Sequence, residues 1–298
     1  MSGPYPSRRG APPGKAFPAR SLLAFVLAAA AVLIAAQEAC CSGDAPLRVV
    51  SLAPSLTREV YDLQAPDLLV GATSYCPLPR GSSVRIVGSP GRINIEAAYA
   101  LRPDLVLAST DCNGRSDVEA LRRLGCEVKV FAGCESFSCM CASFLELGGI
   151  LDRRARAEAV LADVKARLAA GQDKLRGRPR PRVFWQIGAT PLVTASNATF
   201  AGEFLARAGA ANIFGDAPTP YPRVNVEEVL RRNPDVIIVV SRMEPGAARS
   251  PWERFGALVA AKKGRIVELD ADLVCQPTPL MFLRGFEAVA AALYPGAP

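Results

Sequence analysis

The sequence predicts an α/β protein of two similar lobes joined by one long helix, with a ligand cleft between the lobes. Three observations lead there. A helix start followed by a short apolar strand occurs twice, as Asn94-Ile95-Glu96 ahead of Pro103-Asp104-Leu105-Val106-Leu107 and as Asn225-Val226-Glu227 ahead of Pro234-Asp235-Val236-Ile237-Ile238, at one constant offset. Strands alternate with helices through short links around each copy, the pattern of a parallel sheet covered by helices. Between the copies, residues 143–176 carry apolar side chains at helical spacing. An interval this long marks duplicated lobes, because solenoid repeats are far shorter.

Each repeat explains itself locally. Asn is a good N-cap, and a first-turn carboxylate complements the helix dipole. The residue before Pro avoids the helical region, so the Pro-Asp pair closes the helix ahead of a strand buried on both faces.

In chain order, the first lobe (47–142) opens with a strand at 48–53. A helix over 56–64 follows, with Leu56, Val60 and Leu63 on one face. A second strand is expected at 68–72. Residues 77–92 are rich in Pro, Gly and Ser, with one short strand at 85–87. After the first repeat come a helix at 117–124, stopped by Gly125, and a strand at 127–131. Phe144, Leu147, Ile150, Leu151, Val160, Leu161, Val164 and Leu168 then predict one long amphipathic linker helix over 143–177, with Gly148-Gly149 as its candidate break. Such a helix is a stiff spine, unlike a Gly/Ser linker. The second lobe (181–298) has strands at 182–187 and 192–195, a helix at 200–208 and a Pro-dense loop at 214–223. The second repeat, a helix at 252–261, a strand at 265–269 and a loop at 270–279 follow. A helix over 280–293 closes the chain.

The first 41 residues read as an export signal. Arg8, Arg9, Lys15 and Arg20 precede an unbroken apolar run, Leu22–Ala36, with small residues after it. The run is shorter than a spanning helix needs. Cleavage near Ala35-Ala36, or lipid attachment at Cys40 or Cys41 in a lipoprotein, both fit the junction. The formal net charge of +7 owes part of its size to this leader, and no basic run is interleaved with aromatics, so nucleic acid is not the partner. Among the nine cysteines, some pairing is expected in an exported protein, but spacing does not determine which. There is no histidine, which removes the commonest metal ligand and general base.

No catalytic motif stands out: there is no GxSxG, P-loop or HExxH pattern, and no glycine-rich fingerprint follows the first strand. What remains is a set of loops at strand ends, where open α/β sheets bind ligands. The candidates are Ser55, Tyr75, Cys76, Arg92 and Cys112 in the first lobe and Gln186, Tyr221, Arg242 and Cys275 in the second. Tyr75 and Tyr221 lead, since a ring with a polar tip suits a large flat ligand. Glu96 and Glu227 have a local explanation as first-turn acids. Their recurrence also fits a matched pair of carboxylates presented to a two-fold partner that carries Arg or Lys.

The segments Arg48–Glu59, Gly71–Cys76, Asn94–Leu107 and Tyr221–Leu230 resemble the substrate-binding proteins of cobalamin and iron-siderophore ABC importers, over residues 47–295. The resemblance implies two Rossmann-like lobes joined by one long α-helix, with the ligand in the interlobe cleft and little closure movement. It implies a monomer without catalysis or intrinsic cofactor that hands cobalamin or another corrinoid to a permease dimer. By the same resemblance Glu96 and Glu227 dock on arginines of that permease, and Tyr75 and Tyr221 are aromatic cleft residues. Departures concern the ligand. Ser89-Pro90-Gly91 and Leu273-Val274-Cys275 stand where cleft aromatics are expected, a second-lobe cysteine pair is missing, and Cys76, Cys112 and Cys275 fall in cleft loops instead. Those three suit a soft metal, contact with a corrinoid, or a disulfide between two of them. Two alternatives stay open: an iron-siderophore binder, with haem disfavoured by the absence of histidine, and a Rossmann-like enzyme or scaffold for a metallocofactor.

Overall fold

The first lobe places its strands in the order β3-β2-β1-β6-β7, all parallel. These are β1 (Val49–Ser51), β2 (Leu69–Ala72), β3 (Arg85–Ile86), β6 (Leu105–Ser109) and β7 (Val128–Phe131). Helices α1 (Pro54–Asp62), α2 (Ile95–Ala100) and α3 (Arg115–Arg123) make the crossovers, and a hairpin of β4 (Gly88–Ser89) and β5 (Arg92–Ile93) precedes α2. The second lobe orders its strands β10-β8-β11-β12 in parallel, with β9 antiparallel on β8. Here β8 is Arg182–Ala189, β9 Leu192–Thr194, β10 Ala211–Asn212, β11 Val236–Ser241 and β12 Ile266–Asp270. Its helices are α6 (Phe200–Arg207), α7 (Val226–Arg232), α8 (Ser250–Glu253), α9 (Val259–Lys262), α10 (Ala271–Val274) and α11 (Pro279–Leu293). This computed structural model describes residues 46–241, 250–275 and 277–296, so the leader over 1–41 and Arg242 lie outside the described residues. Among the described residues, no helix is long and apolar enough to cross a membrane.

The repeated motif does the same work in both lobes. Asn94 and Asn225 cap α2 and α7, their Oδ1 atoms accepting from the N–H groups of Ala97 at 2.9 Å and Glu228 at 2.7 Å. Arg102 and Asn233 then take left-handed backbone angles (φ 47° and 44°) just ahead of the two prolines. Asp104 Oδ2 accepts from the backbone N–H of Arg48 at 2.8 Å, and Asp235 Oδ2 from that of Arg182 at 2.9 Å. Each aspartate thereby ties the entry of β6 or β11 to the start of the neighbouring strand, β1 or β8.

Alternation along the strands divides the core. Val49, Leu105 and Leu107 face one layer, while Val50, Val106 and Ala108 face the other. In the second lobe Val236, Ile238 and Val240 join the same layer as Val49, and Ile237 and Val239 turn away. The shared layer runs without interruption through the connecting helices.

That connection differs from the single helix expected. It is two helices, α4 (Phe137–Ile150) and α5 (Arg154–Leu175). The break falls at Asp152, whose φ is 54°, and not at the paired glycines. Gly148 has another reason to lack a side chain: a Cβ there would lie 2.7 Å from the Cβ of Ala157, where the two helices meet. A non-glycine residue with positive φ carries no strong sequence signal, so the break was hidden by continuous apolar periodicity. The helix expected over 252–261 also splits, into α8 and α9, around Gly256, a poor residue for a helix interior.

Phe144 is fully buried in the shared layer, so Phe144→Ala should lower unfolding free energy by about 3–5 kcal/mol in urea titrations. Asp235→Ala, which removes one partly exposed strand clamp, should cost only about 1 kcal/mol.

Candidate functional site

Both sheets change direction next to their first strand, between β1 and β6 and between β8 and β11. Crevices at such points, beyond the carboxyl ends of the strands, are where open α/β sheets take ligands. A cavity of about 290 Å³ lies there. The first lobe contributes Ser55 and Glu59 from α1, Ser109 and Asp111 at the end of β6, and Phe131 to Glu135 at the end of β7. The spine contributes Met140 and Ser143, and the second lobe Phe200, Tyr221, Cys275 and Pro277.

The loops around it are held by specific bonds. Asn113 ties three of them together, accepting from the N–H of Ser109 at 2.9 Å and donating Nδ2–H to the carbonyls of Leu52 at 3.0 Å and Pro90 at 3.4 Å. A disulfide, Cys134–Cys139, joins the loop after β7 to the first turn of α4, and Ser136 caps that helix. Asp111 packs close over Gly133: a Cβ there would lie 2.0 Å from Asp111 Oδ1, so a side chain at 133 would displace that carboxylate.

Side-chain contacts among the described residues bridge the lobes around the cavity. Tyr221 donates its hydroxyl to Glu135 Oε2 at 3.4 Å. Arg58 of α1 donates to the carbonyl and carboxylate of Asp272 in α10, both at 3.0 Å. Thr278 donates to Asp62 Oδ2 at 2.7 Å. The Arg58–Asp272 pair is partly exposed and contributes below about 1 kcal/mol, so it registers the lobes more than it stabilises them.

Burial acts on two groups of the cavity wall and on one thiol near it. Burial, with Asp62 adding negative charge, pushes Glu59 up to about 8, and its Oε2 has no hydrogen-bond partner. Burial and then Glu135 push Tyr221 up to about 12, so its hydroxyl remains a donor at neutral pH. Burial likewise pushes the Cys141 thiol up to about 11. No lysine or arginine lines the cavity among the described residues.

Of the residues expected from sequence, Ser55, Tyr221 and Cys275 meet at this cavity. Tyr75 joins Ser55, Arg58, Asp272 and Cys275 in a neighbouring pocket of about 350 Å³ and is well exposed. Others go elsewhere. Cys76 is buried beneath the loop, its sulfur accepting from Thr57 Oγ1 at 3.0 Å. Gln186 is buried in β8 and accepts from the Trp252 indole N–H. Cys112 packs half-buried against the shared core, and Arg92 lies exposed on the β4–β5 hairpin. Arg242 lies outside the described residues. Glu96 and Glu227 are both exposed, in the first turns of α2 and α7.

The soft-metal reading of Cys76, Cys112 and Cys275 has no geometry behind it: among the described residues, no group of three or more His, Cys, Asp or Glu side chains is placed to hold a metal ion. Among the described residues a local disulfide forms, Cys134–Cys139, and neither of its cysteines is one of the three in the cleft loops. Glu59 and Glu135 were also missed. Glu59 was within reach of the periodicity argument, since it stands beside Val60 on the helix face that begins at Leu56.

Two parallel-sheet lobes on a helical spine, with a cleft at both switch points, define a two-lobed solute-binding protein. The chain belongs to the periplasmic binding protein family, whose model matches residues 49–273. It is 32% identical to a vitamin B12-binding protein of Pectobacterium carotovorum, over 65% of this chain and 71% of that one. Among solved structures it is similar to the periplasmic vitamin B12 binding protein BtuF of Vibrio cholerae, with a TM-score of 0.69 and 27% identity over 83% of this chain and 96% of that one. It is also similar to a periplasmic heme binding protein from Pseudomonas aeruginosa, with a TM-score of 0.75 and 27% identity over 85% and 94% of the two chains.

Glu59 has an ordinary value of 4.5 and a raised value in the fold, so the protein takes up a proton on folding between the two. Its contribution is fully favourable below about pH 4.5 and is lost as pH rises towards about 8. Glu59→Gln should therefore raise Tm by a few degrees at pH 8 and by little at pH 4.5 in calorimetric scans.

Proposed function

We propose that this protein is an exported, non-catalytic carrier that captures cobalamin or a related corrinoid and delivers it to an ABC permease. Family membership and the similarity to vitamin B12-binding proteins support the class of ligand. The observation that favours a corrinoid over haem or a siderophore is the composition of the cavity. Asp111 and Glu135 line it beside Glu59, which burial keeps protonated up to about pH 8. No lysine or arginine lines it among the described residues, and Arg58 in the neighbouring pocket is paired with Asp272. Such walls oppose haem propionates and anionic chelates, while the amide-rich periphery of a corrinoid meets them without charge conflict. The chain also lacks any histidine for an axial bond to haem iron. A corrin with its arms exceeds 290 Å³, so it sits across both neighbouring pockets, between Tyr75 and Tyr221, with one edge in the cavity that Glu59 lines.

Delivery is assigned to Glu96 and Glu227, one acid per lobe, each exposed at a capped helix start and at matching places in the repeat. A two-fold permease carrying arginines would receive both. Residues 1–41 are assigned to export, ending either in cleavage near Ala35-Ala36 or in lipid attachment at Cys40 or Cys41.

Titration calorimetry of the protein lacking its leader should show cyanocobalamin binding; absence of heat with every corrinoid, together with binding of a ferric siderophore, would overturn the ligand assignment. Reversing both acids, Glu96→Lys with Glu227→Lys, should abolish uptake in whole cells and leave corrinoid affinity within about twofold, since surface charges remote from the cleft change binding little. A parallel loss of affinity would move those acids out of the docking role.

A further inference from the structure

We propose that Glu59 is the ligand-reading group at the floor of the cleft, and that it takes a primary carboxamide of the bound molecule in a two-point hydrogen-bonded pair. The inference deepens the corrinoid reading and rests on it. Glu59 lines the cavity, is only 4% exposed, and leaves Oε2 buried without a partner. Buried polar atoms are almost always paired, so an unpaired carboxyl on a cavity wall is available to whatever fills that cavity.

The surroundings decide the form of the acid. Asp62 stands on the same helix, Cys141 packs near it from α4, and Asp111, Glu135, Tyr221 and Cys275 stand around the same cavity. All are acids or weak acids. Of the nearby cations, Lys165 and Arg207 act on Cys141 and Arg58, Arg156 and Arg284 act on Asp62; none of the five lines the cavity. Burial and Asp62 keep Glu59 protonated up to about pH 8. A neutral carboxyl presents one O–H donor and one carbonyl acceptor on adjacent atoms. Its complement is a group with an acceptor and a donor at the same spacing, which a primary carboxamide supplies. Corrinoids carry such arms on the edge of the ring. A ligand carboxylate would lose one of the two bonds, and an ammonium would require Glu59 to ionise among like charges.

Cyanocobalamin affinity measured by calorimetry between pH 6 and 9.5 tests this, in wild type, Glu59→Gln and Glu59→Leu. Wild-type affinity should fall about tenfold as pH passes through about 8, where the donor is lost. Glu59→Gln, which keeps a donor and an acceptor at every pH, should bind like wild type at pH 6 and show a flatter profile. Glu59→Leu should bind about tenfold more weakly at pH 6, with its cooperative unfolding intact. Affinity that rises with pH, a wild-type profile retained in Glu59→Gln, or full affinity in Glu59→Leu would each overturn the assignment while leaving the corrinoid reading in place. Absence of corrinoid binding by the wild type at every pH would overturn both.

Discussion

One apolar layer holds this molecule together. It contains Val49 and Leu107 from the first sheet, Phe144 and Leu161 from the spine, Trp185 and Ile238 from the second sheet, and Phe282 from the last helix. Because the layer is continuous, neither lobe has a core that ends at the cleft. Moving one lobe against the other would separate close-packed side chains, which interiors resist strongly. The cleft is therefore largely pre-formed, and the bonds across it (Tyr221 to Glu135, Arg58 to Asp272, Thr278 to Asp62) register lobes whose relation the core has already set.

Against that scaffold the cleft is chemically unusual in one direction. Its walls are acidic, its tyrosine and nearby thiol are kept protonated by burial, and one carboxyl at its floor has no partner. A buried acid without a counter-ion disfavours folding at neutral pH, and the large shared layer has enough burial to tolerate it. The disulfide Cys134–Cys139 and the bonds of Asn113 tie together loops around this acid.

The duplicated motif was the most legible part of the chain. Its caps, its Pro-Asp closure and its buried strands are local features, and each appears where the residues place it: Asn94 and Asn225 cap, and Leu105–Ser109 and Val236–Ser241 are strands. The roles of Asp104 and Asp235 were less legible, because each bonds to a residue more than fifty positions away. The spine shows the opposite error. Continuous apolar spacing concealed the break at Asp152, and the glycines that looked like a break serve a close helix contact. Among site residues, Ser55, Tyr221 and Cys275 could be found by their position at strand ends. Cys76 and Gln186 share that position, yet their side chains turn into the protein.

The sequence by itself determined the two-lobed α/β plan, the helix starts capped by Asn94 and Asn225 and the loops that form a cleft, because those depend on residues close together in the chain. Only the tertiary structure decided which loop side chains line the cavity, that Cys134 pairs with Cys139, and that Glu59 lies unpartnered at its wall. Whether a side chain near a strand end faces solvent, core or cavity depends on elements from the other lobe packing over it, and one sequence read locally carries no record of that packing.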